Sequence, residues 1–162
     1  MDDYDRRSEA LWASIDDYDD EATFRAKVDE LVAELPADSA IASFERACAW
    51  DSTGHSDRAI PLYRLALEQG LEGERRRRAV IQMSSSLRNM GEVEESVRLL
   101  TAERDRASDA LDDAVSAFLA LALVDSGRER EAVSLALGAL APHLPRYQRS
   151  LGSYARDLVE EQ

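Results

Sequence analysis

The chain has 162 residues, 44% of them apolar and 33% charged, and a formal net charge of −13. That length suits one domain, and the charge disfavours wholesale binding to nucleic-acid phosphate. One cysteine, Cys48, and two histidines, His55 and His143, exclude a disulfide framework and leave too little for a metal cluster, so no metal and no cofactor is expected.

The first residues, Met1-Asp2-Asp3-Tyr4-Asp5, are acidic where a secretory leader is basic and then apolar. The most apolar uncharged stretch, Ala114 to Val124, falls well short of the roughly 20 residues a bilayer needs. A cytoplasmic protein with no membrane partner is the expectation. Charge is uneven along the chain: residues 1–40 hold 13 acidic and 4 basic side chains, whereas residues 75–106 hold 8 arginines against 5 acids.

No segment alternates apolar and polar with β-branched enrichment, so strands are not expected. Helical periodicity recurs instead. Leu11, Trp12 and Ile15 give a short stripe over 3–15, with residues 1–5 frayed. The acidic run Asp16 to Asp20 forms the following turn. Phe24, Val28, Leu31, Val32 and Leu35 fall on one face of a helix over 21–35, which Pro36 ends. Further helices are predicted over 39–52, 57–69, 74–90, 93–106, 109–125 and 129–141. Ser56 or Asp57 can cap one of them, and Ser108 or Asp109 another. Tyr147, Leu151, Tyr154, Ala155 and Leu158 repeat the helical spacing in a last helix over 146–160, with Pro145 at a position that a first turn tolerates.

Between these flanks the chain repeats itself. Gly54, Gly91 and Gly127 are separated by 37 and 36 residues. Five residues after each glycine a small residue precedes a β-branched one: Ala59-Ile60, Ser96-Val97 and Ala132-Val133. Such periods signal helical arrays. The glycine ends one helix in a left-handed conformation, and the small residue lets the next helix pack close to it.

This pattern resembles the tetratricopeptide repeat, a unit of two antiparallel helices. Ala47, Gly54, Ala59, Tyr63 and Ala66 fall on the signature positions of the first repeat, supported by Ile60 and Leu67. Leu119, Ala120, Gly127, Ala132 and Ala139 do so in the third. The second keeps Met83, Ser84, Gly91 and Ser96, with Glu103 where alanine is usual. Arg75–Gly91 and Pro142–Ala155 also resemble a subgroup of small bacterial members of the family. The resemblance implies an all-α, right-handed α-solenoid of antiparallel helix pairs. It would form a single domain over 1–162, with acidic capping helices over 1–38, three repeats over 39–142 and a capping helix over 143–162.

The resemblance also implies a concave partner groove lined by the first helix of each repeat. In that register the groove residues are Ile41, Phe44, Cys48, Asp51 and Ser52, then Arg78, Ile81, Ser85, Arg88 and Asn89, then Ala114, Ala117, Leu121, Val124 and Asp125. The middle repeat is polar and basic where the third is apolar. Arginine forks beside an asparagine amide suit a carboxylate. Two readings stand for Arg78 and Arg88: contact with a ligand, or pairing with acids such as Asp51 and Asp125. Asp51, Arg78, Ser85, Arg88, Asn89 and Asp125 are therefore the candidate partner-binding residues.

Other features read more simply. Arg75-Arg76-Arg77-Arg78 points all around its helix and cannot form one patch; contact with the acidic N-terminal region is one outlet for it. Ser84-Ser85-Ser86 has no nearby base and no strand–turn–helix elbow, so packing is expected. Cys48 is a packing residue, His55 a solvated turn residue and His143 a helix C-terminal cap. Tyr147 and Arg149 are secondary interface candidates, the alternative being that Tyr147 packs the last helix onto the third repeat. No catalytic residues emerge, and the chain is not expected to be an enzyme. The expected function is a scaffold or adaptor that binds a protein or peptide segment, one bearing an acidic or carboxylate group. The alternative is self-assembly into a homodimer.

Overall fold

The computed structural model describes residues 3–106 and 108–160. Among them are nine α-helices and no strand. They are α1 (Asp3–Ala13), α2 (Glu21–Val32), α3 (Ala40–Ser52), α4 (Ser56–Glu68), α5 (Gly73–Asn89), α6 (Val93–Arg106), α7 (Asp112–Asp125), α8 (Glu129–Leu140) and α9 (Gln148–Glu160). Short 3₁₀ turns at Ile15–Asp17 and Ala141–His143 follow α1 and α8. Among the described residues no helix is long and apolar enough to cross a membrane. Helices pack on their neighbours in the chain, the arrangement of a helical repeat protein. The chain forms two compact units, Met1–Ala79 and Val80–Gln162, and the division falls within α5.

In the first unit the α3–α4 pair is tight because its contact residues are small. Ala47, Ala59 and Ala66 are completely buried. Tyr63, also fully buried, stands 6.3 Å from the Phe44 ring and donates its hydroxyl to Asp51 Oδ2 at 3.1 Å. A second cluster joins the preceding helices: Phe24, Val28 and Val32 of α2 meet Ala42 and Ala49 of α3. Trp12 and Tyr18 close it edge-on against Phe24, at 5.1 and 5.4 Å. Asp20 caps α2, its Oδ1 accepting from Thr23 N at 2.9 Å.

The described residues of the second unit form an apolar core. Ile81, Val97, Leu100, Val115, Leu119, Ala122, Leu123 and Ala132 form it, with Phe118 and Leu135 packed against them. Ser96 is completely buried, as small as its place in the repeat demands, and so are Ser84 and Ser86. The serine triplet thus serves packing at its first and third positions.

The repeat glycines end their helices as expected. Gly54, Gly91 and Gly127 have φ of +79°, +87° and +75°. At each, the next residue's N–H reaches back to the carbonyl five before it: His55 to Trp50 at 2.9 Å, Glu92 to Leu87 at 2.9 Å and Arg128 to Leu123 at 2.8 Å. These bonds satisfy carbonyls that a helix end otherwise leaves orphaned.

Several expectations need correction. Asp3–Asp5 are helical rather than frayed; residues 1 and 2 lie outside the described residues. Helix α4 begins at Ser56 after His55 without a side-chain cap. Helix α7 begins at 112, not 109, because Ser108 and Asp109 build a turn ahead of it. There Asp109 Oδ1 accepts from Leu111 N at 2.7 Å, and the Asp112 carboxylate accepts from Ser108 Oγ at 2.5 Å. Helix α9 starts at Gln148, beyond Pro145, because Tyr147 takes a positive φ.

Gly91→Ala forces a Cβ into the left-handed region and is expected to cost about 1–2 kcal/mol. Gly138 is helical with open space around its Cα, so Gly138→Ala is expected to stabilise by about 0.5–1 kcal/mol. Urea unfolding of the two variants checks the opposite signs.

Candidate partner-binding surfaces

The arginine run at the start of α5 disperses, as four successive helical residues must. Arg75 pairs with Asp5 of α1, and its Nε lies 4.0 Å from Glu45 of α3. Arg77 is buried. Arg78 is exposed, its guanidinium 5.4 Å from the centre of the Phe44 ring. The acidic N-terminal region therefore does meet the basic run, and it does so through Arg75.

Glu45 organises this corner of the first unit. It is 4% exposed, and burying a carboxylate requires partners. Trp12 Nε1 donates to its Oε2 at 2.7 Å, while Arg75 approaches its other oxygen. Helix α1 is thus tied to α3 and α5 by polar contacts, with Arg7 adding a bond to Glu34 Oε1 at 2.8 Å. Beside these contacts lies an open pocket of about 520 Å³, bordered by Asp5, Ser8, Trp12, Glu45, Arg75 and Arg78.

The same unit contains a cluster that the helical pattern does not reveal. The guanidinium groups of Arg25 and Arg58 lie 4.4 and 4.5 Å from the Trp50 ring centre, and His55 meets it edge-on at 5.2 Å. His55 is accordingly half-buried against an aromatic ring, not a solvated turn residue. Cys48 is buried beneath Tyr63, and burial pushes its thiol up to about 12. It stays protonated at neutral pH and belongs to the packing.

The six groove candidates divide between the units. Asp51 and Arg78 lie in the first, where Asp51 accepts the Tyr63 hydroxyl. Ser85, Arg88, Asn89 and Asp125 lie in the second. There Arg88 Nη1 sits 3.0 Å from Asp125 Oδ2, and its Nη2 is 3.5 Å from Asn89 Oδ1. The intramolecular pairing is formed in this case. Ser85 is half-buried, and Asn89 and Asp125 are exposed.

Helix α7, next to that pair, is apolar on all sides between its terminal aspartates, Ser116 apart. Val115, Leu119, Ala122 and Leu123 enter the core, while Ala117 is exposed and Leu121 and Val124 are each 47% exposed. A helix apolar all round is normally buried; this one is half open. His143 Nε2 lies 2.8 Å from Asp113 Oδ2 in the first turn of α7, a hydrogen-bonding contact in place of the expected helix cap. Tyr147 does not pack α9 onto its neighbours: it is 77% exposed, and Arg149 beside it is exposed as well.

Trp12→Phe keeps a ring against Phe24 but strips the indole donor from a buried carboxylate. It is expected to lower stability by about 1–3 kcal/mol. Arg88→Ala removes a half-exposed pair and is expected to cost under about 1 kcal/mol. Urea midpoints of the two variants test that order.

The chain matches no curated protein and no solved structure. The family model for the tetratrico peptide repeat matches residues 40–158, from the first residue of α3 to near the end of α9, and the chain therefore belongs to the tetratricopeptide repeat family.

Proposed function

We propose that this protein is a non-catalytic adaptor that holds a segment of a partner protein against the open face of α7. Repeats of this family mediate protein–protein interaction. The single observation that carries the reading is the outward stripe of Ala117, Leu121 and Val124 on a helix whose other side already fills the core. Apolar area left in water on an ordered helix favours a partner that covers it.

Arg88, Asn89 and Asp125 supply the polar border of that stripe. An ion pair at the surface contributes little, so a carboxylate arriving with the partner can take the place of Asp125 on Arg88 at small cost. Asp125 then acts as a resident stand-in for the ligand's acid. Asn89 offers an amide donor to the same group, and Ser85 stands on the same helix one turn earlier.

The test is a photo-reactive side chain at position 124 in cells of the source organism. An adduct with a second protein is expected. Leu121→Asp should abolish it, and Arg88→Glu should weaken it, with the circular dichroism of both variants unchanged. An adduct at twice the chain's own mass assigns the face to self-assembly instead. Equal labelling from position 65, an exposed leucine on α4, contradicts the assignment to α7.

A further inference from the structure

The second unit carries another outward surface, on α9 and the turn before it, that shares no residue with the α7 stripe. Tyr147 is the one non-glycine residue at positive φ among the described residues, at +70°. That conformation is strained for a residue with a Cβ, and hydrogen bonds around it hold the turn. Gln148 Nε2 donates to the carbonyls of Pro142 and Leu144 at 3.0 and 2.8 Å, and the Tyr147 carbonyl accepts from Leu151 N at 2.9 Å. The result is a ring turned outward. Tyr147 and Tyr154 are the two most exposed of the large apolar side chains, at 77% and 66%. With Arg149, Ser150 and Ser153 they border one open depression.

The charge of this surface opposes that of the whole chain. No acidic residue stands between Glu131 and Asp157, although the chain carries −13 overall, and the stretch contains Arg146, Arg149 and Arg156. None of these three is in an ion pair among the described residues. Arg149 and Arg156 are seven residues apart, so they lie on one side of α9, about 10 Å apart along its axis. Both also edge a second depression, between α8 and α9, where Gly138 leaves open space.

Tyrosine and arginine together are the composition of energetic centres in protein interfaces. A second copy meeting this face symmetrically would offer these arginines only a stretch that itself has no acidic residue. An acidic segment complements both features, with carboxylates for the guanidinium forks and an apolar side chain for the rings. We propose that α9 and its leading turn bind an acidic, extended segment of another protein that crosses the exposed face of α9, with an apolar side chain between Tyr147 and Tyr154, a carboxylate on Arg149, which borders both depressions, and a further carboxylate on Arg156 in the depression against α8. The proposal does not depend on the α7 reading.

Fluorescence anisotropy of the full chain with two labelled peptides tests it. One is a short glutamate-rich peptide carrying two leucines; the other replaces every glutamate by lysine. The acidic peptide is expected to bind, more weakly as salt rises, and the lysine peptide not to bind. The double variant Arg149→Glu/Arg156→Glu should weaken binding about tenfold or more. Tyr147→Gly suits the backbone at +70° and should keep or raise the thermal midpoint while losing affinity, which separates binding from folding. Leu65→Asp, on α4 of the first unit, should leave binding unchanged. No binding of the acidic peptide, equal binding of the lysine peptide, or affinity that survives both the arginine and the tyrosine changes overturns the proposal.

Discussion

The architecture depends on how closely two consecutive helices can approach. A left-handed glycine reverses the chain, and five residues later a residue with almost no side chain meets the preceding helix. Ala59, Ser96 and Ala132 hold that position, the first two completely buried and the third 2% exposed. A larger side chain there would wedge the helices apart and empty the core behind it. The interhelical spacing then decides which neighbours are drawn inside, among them Tyr63 and Phe44 in the first unit and Leu119 and Val115 in the second. The faces left over become the surfaces on which partners are expected.

Local rules made much of this legible. A glycine that needs a positive φ, a small residue at fixed offset and an apolar stripe each act within one or two turns, so the helix limits follow closely from them. One exception is α2, which ends at Val32 rather than at Leu35 before Pro36; others lie where local contacts competed with the helix. Asp109 and Asp112 spend their carboxylates on a turn, and α7 starts three residues late. Pro145 pointed to an earlier start for α9, but the strained Tyr147 intervenes. The pairing of Arg88 with Asp125 was legible as an alternative because the two stand 37 residues apart, about one repeat period.

Contacts set by tertiary arrangement were less legible. Asp5 and Arg75 meet across 70 residues, and nothing in the periodicity of either segment specifies the partner. Glu45 is an acid within an alanine-rich helix, a local conflict that hints at a buried carboxylate without naming Trp12 as its donor. The stacking of Arg25 and Arg58 on Trp50 likewise joins three helices through side chains that are polar or amphipathic by composition. The exposure of Tyr147 ran against its apolar character. Its ring stands in solvent at a residue of positive φ, a backbone state that side-chain periodicity does not reveal.

The central claim is that the open face of α7 is covered by another protein where the chain works. Cysteine protection measures this directly. A cysteine placed at position 121 is compared with one at position 65 for maleimide labelling, in intact cells and on the purified chain. Cys48 does not interfere, because it is buried with its thiol pushed up to about 12. The account predicts that position 121 labels freely in the purified chain and is protected in cells, while position 65 labels equally in both. Equal labelling of position 121 in cells and in isolation would contradict it.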